Sequence, residues 1–117
     1  MTAPAKPFDV PEVLAALREV VADKGADYVY PEEWENQDSG CVYVRDGQPA
    51  CIVGHVLARL DSALLDSEVV RSNRSANVLP EVGFEHHAAW LLRAAQRVQD
   101  VGGTWGSAFA AAERAAR

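Results

Sequence analysis

The stretch Cys41–Leu60, CVYVRDGQPACIVGHVLARL, decides the fold, because it holds a strand, a tight turn and an almost uninterrupted apolar helix. Cys41–Arg45 is rich in β-formers, Asp46-Gly47 is a turn dipeptide, and Pro49 stands just ahead of a helix that begins near Cys51. At 3.6 residues per turn, Ile52, Val53, Val56, Leu57 and Leu60 share one face of that helix. Cys51, Gly54 and Ala58 form a small-residue face opposite, and only His55 and Arg59 supply a polar strip. A helix that is apolar on one side and small on the other is buried between two neighbours, so the remaining segments read as its cover.

Upstream, Met1–Phe8 reads as a flexible lead-in, with one globular domain over residues 9–117. Asp9 and Glu12 form a D-x-x-E capping pattern, and Pro11 lies in the first turn, where a missing N–H costs nothing. Val10, Val13, Leu14, Leu17, Val20 and Val21 recur at helical spacing until Lys24-Gly25 ends the helix. Asp27–Tyr30 is short and β-prone, and the expected partner for it is Cys41–Arg45.

Downstream, Asp61–Asn77 reads as a short helix followed by a polar connection. A helix over Glu85–Gln99 is expected to bury a stripe of Trp90, Leu91, Ala94, Ala95 and Val98, with Arg93, Arg97 and Gln99 facing solvent. Gly102-Gly103 breaks the chain, and Thr104 caps a terminal helix lined by Trp105, Ala108, Phe109, Ala112 and Ala116. The expected architecture is therefore a compact, mainly helical α+β domain, with about four helices around a small two-stranded element.

The 117 residues suffice for a real core, and 11 Lys and Arg against 17 Asp and Glu give a net charge of −6. That charge repels a phosphate backbone and argues against nucleic-acid binding. No apolar run is long enough for a membrane span and no export signal is visible, so a cytoplasmic protein with reduced cysteines is expected. Neither a nucleotide-binding glycine loop nor any other cofactor motif is present.

Three kinds of functional residue stand out. Trp34 lies among Glu32, Glu33, Glu35 and Asp38, and Arg71 and Arg74 flank a polar loop. Aromatic and arginine side chains anchor protein interfaces, so both segments are candidate partner-binding sites. Cys51 at a helix N-terminus has its thiolate stabilised by unpaired N–H groups, and His87 or His86 could serve as the base of a Cys51-dependent hydrolase or transferase. Cys51 and His55 share a helix face at i, i+4, and with Cys41 and His86 they make a candidate zinc set, although the spacing matches no standard structural site. Of the three, a non-catalytic accessory factor that binds another protein and needs no cofactor fits the residues best, since Cys51 is equally explained by packing.

The Cys-x-x-Gly opening at Cys51 and Gly54, with the QD-x-G-x-x-W junction at Gln99, Asp100, Gly102 and Trp105, resembles small uncharacterised proteins of actinobacteria and their phages. The likeness covers roughly residues 28–116 and departs at Asp61, where such proteins carry Gly. It implies a phage or mobile-element origin and carries no activity.

Overall fold

The computed structural model describes residues 7–31, 43–45, 47–72 and 76–117. The first helix, α1, spans Val10–Lys24 and starts on the expected capping box. The Asp9 carboxylate accepts from the Glu12 N–H at 3.0 Å, and the Glu12 carboxylate accepts from the Asp9 N–H at 3.2 Å. Two of the donors orphaned at a helix start are thereby satisfied, and Val13, Ala16, Leu17 and Val20 face the core. Phe8, placed in the lead-in by composition, exchanges backbone hydrogen bonds with Gly83 and Glu85 and stacks its ring 5.0 Å from Phe84.

The sheet departs from expectation. Strand β1, Val44–Arg45, pairs antiparallel with β2, Gln48–Pro49, with Val44 opposite Pro49 and Arg45 opposite Gln48. Asp27–Tyr30 is not a strand, because its backbone is engaged elsewhere: the carbonyls of Tyr28 and Ala26 accept the N–H groups of Trp105 and Gly106 at 2.8 and 2.9 Å. This segment closes the N-terminus of the last helix. A Cβ on Gly106 would stand 2.8 Å from the Ala26 carbonyl oxygen, so the contact requires glycine.

Helix α2, Ile52–Leu60, is central, as its two-sided apolar pattern demands. Ile52, Val53, Val56 and Leu57 are fully buried, and Gly54 lies against the backbone of Tyr43. A 3₁₀ turn over Ser62–Asp66, the short helix α3 over Glu68–Ser72 and a 3₁₀ stretch over Ala76–Val82 carry the chain round to α4, His86–Asp100. Helix α5, Trp105–Ala116, folds back on α4 as the expected helical hairpin, and Thr104 caps it by accepting from the Ser107 N–H at 3.1 Å. Trp105, Ala108 and Ala112 are buried at the seam. Among the described residues, five α-helices with one two-stranded hairpin make an α+β, mainly helical fold. No helix among the described residues is long and apolar enough to cross a membrane.

The α4 face is rotated from the expected one. Ala88, Leu91, Leu92, Ala95, Gln96 and Gln99 point inward, whereas Trp90 is 53% exposed. Two glutamines explain the rotation. Cys51 provides no side-chain cap for α2, and the Gln99 side chain fills that role from across the core, its Oε1 accepting the Ile52 N–H at 2.8 Å. Its Nε2 donates to Asp100 at 3.1 Å, so both ends of the buried amide are satisfied. Gln96 accepts from the Tyr43 hydroxyl at 3.4 Å. Burial, with Asp100 nearby adding to it, holds the Tyr43 hydroxyl protonated far above the ordinary phenol range. The Gln-Asp pair of the QD-x-G-x-x-W junction is thus structural.

Candidate functional site

Two surfaces combine exposure with chemically distinctive side chains. The first is the outer face of α4. Because its inner stripe contains the two glutamines, residues at i, i+4, i+7 and i+11 from His86 face outward, which brings His86, Trp90, Arg93 and Arg97 into one row. The Arg93 guanidinium lies 5.5 Å from the centroid of the Trp90 ring and stiffens the row by a cation–π contact. His87, next to the row, is engaged internally: its Nε2 lies 2.8 Å from the Ala115 carbonyl oxygen near the end of α5. There it satisfies a carbonyl that a helix C-terminus leaves without a partner.

The second is a cleft of about 370 Å³ between α1 and α2, lined by Val20, Asp23, Lys24, His55 and Arg59. The helical spacing that makes α2 apolar leaves His55 and Arg59 one turn apart on its only polar strip. Arg59 bridges to α1 by ion pairs with Glu19, at 3.2 Å, and with Asp23. His55 is half-buried, with its ring edge-on to Trp105 at 5.5 Å. Burial, followed by the nearby Lys24 ammonium, pulls its imidazole down to about 4, so it is neutral at pH 7. Neither of its ring nitrogens has a hydrogen-bond partner among the described residues. Lys24 lies 5.3 Å over the Tyr28 ring and has no carboxylate within ion-pairing distance among them.

The remaining candidates from sequence are not brought together. Cys51 is fully buried and disulfide-bonded, which corrects the reduced state expected from its spacing. The other cysteine of the chain, Cys41, lies outside the described residues. Gln99 meets Ile52 at the C-terminal end of α4, while His86 and His87 occupy its first turn; a separation of 12–13 helical residues amounts to ~20 Å, so neither histidine reaches Cys51. His55 follows Cys51 by one turn of α2, its N–H donating to the Cys51 carbonyl at 3.0 Å, and its ring lies on the cleft with α1. No group of three metal-ligating side chains gathers among the described residues. Trp34, Glu32, Glu33, Glu35 and Arg74 lie outside the described residues, and Arg71 is exposed on the last turn of α3.

Sequence reasoning missed the α4 row because Trp90 outweighs any neighbour in a hydropathy count, and it missed the cleft because Asp23 and Lys24 read as ordinary helix-end charges. The signal for the first was the pair Gln96 and Gln99, three apart in register with Leu92. No family model, no curated protein and no solved structure matches this chain.

Proposed function

We propose that the protein acts by binding another protein, and that the outer face of α4 is the surface it uses. The observation that carries this reading is Trp90, more than half exposed on a regular helix and flanked by His86, Arg93 and Arg97. Burying an exposed indole on association releases ordered water at little conformational cost, which is why Trp and Arg dominate interface energetics. Two guanidiniums beside it favour a partner with an acidic rim around an apolar spot. The chain carries −6 overall, and so short a basic row does not give a nucleic-acid backbone the many contacts it needs. The accessory role, with phage or mobile-element origin, is retained from the residue likeness.

The disulfide at Cys51 favours this reading over a Cys51-dependent hydrolase or transferase and over zinc binding, since both of those use a free thiolate.

The test uses the wild type and Trp90→Ala as parallel baits, with Arg93→Glu/Arg97→Glu as a third. A partner held by the wild type and lost from both variants, with unfolding midpoints unchanged, supports the reading. Equal capture by all three moves the interface to Arg71 or to the acidic segment around Trp34.

A further inference from the structure

We propose that the cleft between α1 and α2 is a binding site for a small oxyanion, a carboxylate or a phosphate monoester, held between the Lys24 ammonium and the His55 imidazole. The cleft, at about 370 Å³, has room for a small organic acid. Its charges are unevenly satisfied. Arg59 is held by Glu19 and Asp23, so that trio is internally paired. Among the described residues, Lys24 has only the face of Tyr28 beneath it, and the two ring nitrogens of His55 have no hydrogen-bond partner. A half-buried imidazole and an ammonium with no carboxylate partner among the described residues, on the wall of one cavity, leave room for one anion's hydrogen bonds.

The electrostatics give the site a signature. Without an anion, burial first and then repulsion from Lys24 keep the proton off His55, while the paired carboxylates of Asp23 and Glu19 are spent on Arg59. Trp105 and Tyr28, packed behind, contribute no charge at neutral pH. An oxyanion placed between Lys24 and His55 cancels that repulsion and accepts a hydrogen bond from the protonated ring. Binding and protonation of His55 are therefore linked, and affinity rises as pH falls.

The experiment is an NMR titration of the His55 ring protons in the full chain, in chloride, formate or phosphate at matched ionic strength. The expected result is a His55 midpoint raised by about one unit or more in the oxyanion relative to chloride, which is a tenfold coupling. Lys24→Met, on an exposed side chain, should abolish the rise while leaving the amide spectrum folded. His55→Gln should keep saturable shifts at Val20 and Arg59 but lose their pH dependence. A rise in formate alone assigns the site to carboxylates, in phosphate alone to phosphate esters, and in both to the shared oxyanion. An equal midpoint in all three salts, or an undiminished rise in Lys24→Met, overturns the proposal, whatever the outcome for the α4 face.

Discussion

Replacing Gly54 by alanine tests the packing at the centre of the fold. A methyl group there would overlap the Tyr43 carbonyl oxygen and stand 2.9 Å from its carbonyl carbon and 3.2 Å from its Cα. Tyr43 has no room to retreat: its carbonyl accepts the Ala50 N–H at 3.0 Å, its ring is 1% exposed, and its hydroxyl is held by Gln96. Overpacking against fixed backbone costs about 1–3 kcal/mol, and loosening the Tyr43–Ala50 hydrogen bond adds about 1 kcal/mol. The better helix propensity of alanine returns about 1 kcal/mol. The net expectation is a loss of about 2 kcal/mol for Gly54→Ala, and more than ~3 kcal/mol for Gly54→Leu. In urea, with a slope near 1–2 kcal/mol per molar, the Gly54→Ala midpoint should fall by about 1–2 M. The Ala50 amide should also exchange faster, because its acceptor is the group displaced. A midpoint that stays put or rises would mean that helix propensity wins and that α2 does not lie against the hairpin backbone.

Four further outcomes follow from the same geometry. In single-tryptophan variants, acrylamide should quench Trp90 strongly and leave Trp105, at zero exposure, nearly untouched; equal quenching would refute the α4 register. Gln99→Ala strips the Ile52 N–H of its acceptor and should cost about 1–3 kcal/mol in chemical denaturation, where a change below ~0.5 kcal/mol would show the cap to be dispensable. His55, with its folded value lowered to about 4, binds its proton more weakly in the native state than in the unfolded chain, so its contribution is complete above about pH 6.5 and is lost as pH falls towards 4. Screening at a half-exposed site reduces that loss to about 1–2 kcal/mol, and thermal midpoints of His55→Gln should be correspondingly flatter over that window. Cys51 should take up iodoacetamide only after reduction and unfolding; labelling of the untreated native protein would contradict its disulfide and burial.

Much of the fold is written in short-range chemistry. The capping box at Asp9 and Glu12, the Thr104 cap and the apolar face of α2 each follow from residues within a few positions of one another, and each was legible. What escaped was non-local. Asp27–Tyr30 has the composition of a strand, but its carbonyls satisfy donors at Trp105 and Gly106, a partner no local pattern announces. Gln99 reads as a solvent-facing residue, yet its amide replaces the cap that Cys51 cannot supply to Ile52. That one substitution of roles turns α4 and brings Trp90 to the surface. The cleft was half legible: the His55–Arg59 strip was visible in α2, while the neighbouring ends of α1 became part of it only through the packing of the two helices.

The seat of α5 on Ala26–Tyr28 has a consequence for the order in which the chain can mature. During synthesis from the N-terminus, α1 with its capping box is available early, and α2 can dock on it once residue 60 has emerged. The carbonyls of Ala26 and Tyr28, however, must wait for donors almost eighty residues further along the chain, and loop closure of that length is slow compared with local helix formation. Until then the surface of α1 destined to pack on α5, and the His55 ring of α2 destined to meet Trp105, remain uncovered. A nascent chain halted before Gly106 would therefore hold a preformed helical pair with an open apolar flank, the species on which a holding chaperone would act.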